Sequence, residues 1–166
     1  MRIISKFLTL FMVLFIRTEI SSAQNDTTVR KGISVPVQNS DFGISFVITK
    51  PSFSISPGVY FINSSGKGTD WGFNIAVRKY LNEKIMRPFI GGRTLIFFLT
   101  PKKGSKTQDY LIGVMVGGEV FIHKFVSLLG ELQMNTTFSH DSSGRFGNQV
   151  GRNTNTGSSL FINLYF

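Results

Sequence analysis

Residues 110–135 read YLIGVMVGGEVFIHKFVSLLGELQMN. From Tyr110 to Ile122, alternate positions hold Tyr110, Ile112, Val114, Val116, Gly118, Val120 and Ile122. The positions between them hold Leu111, Gly113, Met115, Gly117, Glu119 and Phe121. Beyond His123 and Lys124, Val126, Leu128, Leu132 and Met134 alternate with Ser127, Glu131, Gln133 and Asn135. A period of two is the mark of a strand, whose successive side chains point to opposite faces. Two such runs joined by a tight connection predict an antiparallel hairpin.

The same alternation extends outward in both directions. Trp71, Phe73, Ile75 and Val77 face away from Gly72, Asn74, Ala76 and Arg78, and Leu160, Ile162, Leu164 and Phe166 face away from Ser159, Phe161, Asn163 and Tyr165. Weaker versions set Phe42, Ile44, Phe46 and Ile48 against Gly43, Ser45 and Val47, and Phe53, Ile55, Pro57, Val59 and Phe61 against Ser54, Ser56, Gly58 and Tyr60. Pro88 to Leu99 (PFIGGRTLIFFL) is apolar on both faces, with Arg93 and the Gly91-Gly92 pair marking one side. Ile33, Val35 and Val37 form a short first candidate. Pro36 and Pro57 weaken their strands, because proline removes a ladder donor. The pattern predicts eight strands, near 31–37, 42–49, 53–62, 71–80, 87–99, 109–122, 125–138 and 157–166.

The connections set the architecture. Segments 38–41, 63–70, 101–108 and 139–156 alternate with the tighter 50–52, 81–86 and 123–124. Long loops at one end and short turns at the other predict an up-and-down transmembrane β-barrel, with the first connection short for that rule. The faces favour lipid over a soluble core. The apolar faces are branched or aromatic and carry no charge at mid-strand, while the opposite faces are small and polar. A barrel turned inside out accounts for both, and closure pairs every backbone group, as lipid demands.

Ahead of this pattern stands a leader. Arg2 and Lys6 precede the apolar run FLTLFMVLFI (Phe7 to Ile16), and Ser21-Ser22-Ala23 follow. A basic start, a short apolar core and a small-residue exit predict a secretory signal peptide over 1–23, cleaved near Ala23, and leave 24–166 as the barrel domain. The run is shorter than the roughly 20 residues of a membrane-spanning helix. The chain contains no cysteine, which excludes a lipoprotein anchor and disulfide staples. Its net charge of +9 falls to +7 once Arg2, Lys6, Arg17 and Glu19 leave with the leader. Export argues against nucleic acid as the partner of a basic chain and favours phosphate-bearing lipid head groups.

The final stretch, SSLFINLYF (Ser158 to Phe166), stops at an aromatic residue. With PGVYFI (Pro57 to Ile62) and GGEVFIHKFVSLLGELQMN (Gly117 to Asn135), it resembles the outer-membrane protein β-barrel family, the eight-stranded OmpA/OmpX/OmpW-like proteins of Gram-negative bacteria. The resemblance implies a place in the cell outer membrane. It also implies an assembly signal at Ile162, Leu164 and Phe166, read by the barrel assembly machinery.

Candidate site residues follow from the faces. Arg78, Arg93, Glu119 and Glu131 share the presumed inner face, where opposite charges must pair because an isolated buried charge is costly. An eight-stranded barrel is only wide enough to be filled by its own side chains, so the four are expected to form a lumen polar network. Lys102, Lys103 and Lys106 form a basic loop that, placed outside, would contact lipopolysaccharide phosphates, each lysine being worth roughly 1 kcal/mol. His140, Asp141, Ser142 and Ser143 are consecutive members of one loop, whereas a working triad draws its members from separate rigid elements. No metal spacing, phosphate loop or dinucleotide fingerprint is present. The expected function is a non-enzymatic outer-membrane protein, without cofactor or metal, serving the envelope or surface contact. The alternatives are a small channel or transporter for ions or small apolar solutes, and an exported soluble barrel that binds a ligand.

Overall fold

A computed structural model describes residues 29–37, 42–64, 68–101, 107–139 and 151–166. They form eight strands: β1 (Arg30–Pro36), β2 (Phe42–Lys50), β3 (Phe53–Ser64), β4 (Gly68–Tyr80), β5 (Met86–Pro101), β6 (Thr107–His123), β7 (Val126–Ser139) and β8 (Gly151–Tyr165). Each pairs antiparallel with the next, and β8 returns to β1, closing a barrel. No described helix is long and apolar enough to cross a membrane, a statement that does not bear on strands. The expected signal peptide at 1–23 lies outside the described residues.

Side chains alternate strictly along β4: Trp71, Phe73, Ile75 and Val77 are exposed, while Gly72, Asn74, Ala76 and Arg78 are buried inside. Carried around the barrel, this places an apolar belt outside and a packed interior within. The interior is less polar than the sequence suggests. Three apolar clusters occupy it at different heights. Val47, Phe121 and Tyr165 lie near the 81–85 turn, with Ile85 packed against them. Ala76, Tyr80, Phe89, Met115, Leu129 and Phe161 fill the middle, and Leu95, Phe97 and Leu111 meet Tyr60 above. Large inward residues are compatible with a small barrel because inward glycines make room for them. A Cβ at Gly117 would stand 2.1 Å from the Gly130 carbonyl oxygen and 2.7 Å from the Phe89 ring.

Pro57 has a visible effect. Between β2 and β3 the ladder runs from Ser45–Gly58 to Ile48–Ile55 with no pair between, whereas β3 and β4 pair without a gap through Pro57–Ile75. The missing N–H interrupts one neighbour only. Gly91 and Gly92 mark opposite faces, Gly91 inside beside Met115 and Gly92 outside; consecutive residues of a strand cannot share a face.

The strands also run further than expected. β8 begins at Gly151, so 151–156 are strand and not loop: Thr156 pairs with Met134, Thr154 with Thr136 and Gly151 with Ser139. Threonine suits an extended chain, and the hydroxyls of Thr136 and Thr154 lie 3.5 Å apart. Gly151 opens the strand at φ 103°, a conformation that favours glycine. β3 and β4 extend to Ser64 and Gly68, leaving a connection at 65–67 that is shorter than the 81–85 turn at the opposite end. The long-and-short alternation is therefore weaker than the sequence pattern implied.

Adjacent glycines on opposite faces offer a test of inward packing. Gly117→Ala should lower stability by about 1–3 kcal/mol through overpacking, whereas Gly118→Ala, with its nearest atom 4.0 Å away, should change it by less than about 0.5 kcal/mol. Urea-unfolding midpoints of the refolded variants check this, and equal midpoints would contradict the assignment of faces.

Candidate functional site in the barrel interior

Among the described residues Asp70, Asp109, Glu119 and Glu131 are buried carboxylates, and the two glutamates form centres with different partner sets. Glu131 on β7 is 4 % exposed. Its Oε2 accepts from Arg78 Nη2 at 3.1 Å, and its Oε1 accepts from Gln133 Nε2 at 2.7 Å. Arg93 Nη1 stands 3.8 Å from Glu131 Oε1 and donates to Gln133 Oε1 at 2.6 Å. Arg78 Nη1 also donates to Ser56 Oγ at 3.0 Å, and Gln133 Nε2 donates to Ser159 Oγ at 2.9 Å. One carboxylate thus binds two guanidinium groups drawn from β4 and β5 across the interior. Register does not make them neighbours: β7 pairs with β6 and β8 only. The long side chains reach across a space too narrow to keep them apart.

Glu119 on β6 is fully buried at 0 % exposure. It meets neither Arg78 nor Arg93; its hydrogen-bond partners among the described residues are the neutral donors Tyr80, Ser127, Asn163 and Tyr165. The hydroxyls of Tyr80 and Ser127 donate to it. Tyr165 Oη donates at 2.6 Å and Asn163 Nδ2 at 2.9 Å. Four donors come close to saturating the lone pairs of one carboxylate, which is what a buried anion without a direct counterion needs. Arg87, the cross-strand partner of Glu119, turns elsewhere. Its guanidinium lies 4.7 Å from the Phe121 ring centre and 5.8 Å from that of Tyr80, while its Nε donates to Lys84 O at 3.1 Å. The two aromatic rings also serve Glu119, through the Tyr80 hydroxyl and the Phe121–Tyr165 stack at 5.5 Å.

All four sequence-derived lumen residues therefore face inward, but they divide into one cross-barrel ion triad and one anion bound by neutral donors. Tyr80, Arg87, Ser127, Gln133, Asn163 and Tyr165 were not singled out from the sequence. The signal existed: each lies on the same alternate face as Arg78, Arg93, Glu119 or Glu131. Aromatic and amide residues on that face read as filling instead of as partners.

The described residues contain no group of three or more His, Cys, Asp or Glu that could hold a metal ion. His140, Asp141, Ser142 and Ser143 lie outside the described residues, as do Lys102, Lys103 and Lys106. Ile162 and Leu164 point outward, and Phe166, 74 % exposed, donates its backbone N–H to Lys31 O at 2.9 Å.

Glu119→Ala strands four donors and should cost about 3–5 kcal/mol, read as a fall in the urea-unfolding midpoint. Tyr80→Phe, which removes one donor, should cost about 1–2 kcal/mol. Joint replacement of Arg78 and Glu131 by alanine should cost less than the sum of the single changes, because neither charge is left alone. Additive costs would show that the triad is not a coupled unit.

Compared with known proteins, the chain matches no family model, no curated protein and no solved structure, so its resemblance to outer-membrane barrels stands on the residues that carry it.

Proposed function

We propose that the chain is an integral outer-membrane β-barrel protein with a structural or surface-contact role, non-enzymatic, exported by a signal peptide over 1–23. The observation that carries this reading is the outer wall. Ile75, Val77, Ile90, Ile112, Val114, Val116, Leu132, Met134, Leu160 and Ile162 all point away from the interior. Ile112 and Leu132 are more than 60 % exposed. No charged side chain of the described residues interrupts this belt between the two barrel ends. Monomeric soluble proteins rarely show apolar patches beyond a few hundred Å², and this belt encircles the molecule.

The borders of the belt agree with a bilayer. Toward the 65–67 connection, Trp71 stacks on Phe98 at 4.5 Å and meets Phe73 edge-on at 5.5 Å, with Tyr110 and Phe138 paired nearby. Phe53, Phe125 and Phe166 are exposed toward the other end. Aromatic girdles at both interfaces flank the lipid-facing band of such barrels. β4 to β8 each exceed the roughly 9–11 residues that a tilted strand needs to cross.

The interior speaks against an open channel. Apolar clusters at three heights and the two carboxylate centres take the space a solute path would need. The channel reading would regain ground only if the wild type conducted.

Refolded protein should sediment with vesicles, resist a high-pH wash and leave them only with detergent. In planar bilayers it should show little steady conductance. Recovery in the soluble fraction without detergent would end the membrane reading, and large stable openings would make the channel the better account.

A further inference from the structure

We infer that the outer wall carries a binding site for one anionic phospholipid, its head group on Lys50 and Lys79 and an acyl chain in the groove over Gly92. This rests on the membrane reading above and places a particular lipid at a particular point of the belt.

Cross-strand register aligns Lys50, Phe53, Lys79 and Ile90 in one row around the barrel, through the pairs Lys50–Phe53, Phe53–Lys79 and Lys79–Ile90. All four side chains are exposed. Two cations thus flank one aromatic ring where the apolar belt meets the turn-bearing end. From this row a groove of about 680 Å³ runs into the belt, lined by Val77, Ile90, Gly92, Val114 and Val116, with Ser52, Phe53 and Lys79 at its mouth. Gly92 makes the groove: a Cβ there would come no closer than 3.6 Å to the Gly113 carbonyl oxygen, so the side chain is missing from open space and not from a crowded contact.

The two halves ask for different chemistry on one molecule. The floor is apolar and, within a bilayer, accepts a hydrocarbon chain. The mouth offers the Lys79 side chain and Ser52, with Lys50 next in the same row on the far side of Phe53, a cationic row that suits a phosphate diester with an uncharged or anionic head group. Charge around this end points the same way. Among the described residues, exposed lysines at this end are Lys31, Lys50, Lys79, Lys84 and Lys124, opposed by exposed Glu83. A cationic rim at the edge of an apolar band attracts anionic lipid. A long lysine stem lies along the apolar wall while its ammonium reaches the head-group level.

The test uses vesicles of phosphatidylcholine and phosphatidylglycerol at 3:1, into which the protein is refolded and from which it is released in mild detergent for native mass spectrometry. The wild type should retain phosphatidylglycerol in preference to the more abundant phosphatidylcholine. Lys50→Gln with Lys79→Gln should lower that retention about tenfold. Gly92→Leu, which fills the groove and leaves both lysines in place, should lower retention of either lipid. Vesicle co-sedimentation of each variant separates site loss from failure to insert. Retention of the two lipids by inserted wild type at the 3:1 ratio of the vesicles, or full retention of phosphatidylglycerol by the inserted lysine double variant, would overturn the site while leaving the membrane reading intact. Failure of the wild type to insert would overturn both.

Discussion

The seam between β1 and β8 is the constraint on which the rest depends. Gly32 pairs with Tyr165 and Pro36 with Phe161, and the Val37 N–H donates to Leu160 O at 2.8 Å, so a sheet that would otherwise have two raw edges has none along this stretch. The approach is close. A Cβ on Gly32 would stand 2.3 Å from the Leu164 carbonyl oxygen. Once the sheet is closed, every inward side chain faces every other across a narrow space, and every outward one must find an environment of its own. Ion pairs across the barrel and an apolar belt around it are both consequences of that closure.

Inside, the consequence is chemical economy. A closed barrel of this size cannot hydrate its polar groups freely, so each buried charge requires partners built into the wall. Glu131 finds them in two arginines and a glutamine from three strands. Glu119 finds them in two tyrosines, a serine and an asparagine. The second solution holds a carboxylate without a direct counterion, nearest the end where Arg30 and Arg87 both approach the Phe121 ring, at 4.6 and 4.7 Å. Cations held by aromatic faces at that end add a favourable field without a contact pair.

Much of this was legible in the sequence because a strand has a period of two. Tyr110 to Ile122 and Trp71 to Val77 declare their faces without ambiguity, and the eight strands and their antiparallel order follow from such runs. What was not legible depended on contacts across the barrel. Nothing local in Glu119 distinguishes it from Glu131, since both follow glycines or leucines on an inward face; their partners differ because of which strands lie opposite. The reach of β8 to Gly151 was hidden by Asn153, Thr154 and Asn155, whose polarity reads as loop when pairing with β7 is unknown. Arg87 was hidden by its neighbours Met86 and Pro88, which resemble a turn's edge more than a lumen.

Trp71 is the chain's single tryptophan, and it stands on the outer wall, 39 % exposed beside Phe73 and Phe98. Its fluorescence therefore reports directly on what surrounds the apolar belt. In vesicles containing phosphatidylcholine brominated along its acyl chains, the emission should be blue-shifted, quenched strongly by the bromines and only weakly by aqueous acrylamide. Strong acrylamide quenching of a folded barrel, with no response to the brominated lipid, would contradict the claim that this wall faces hydrocarbon.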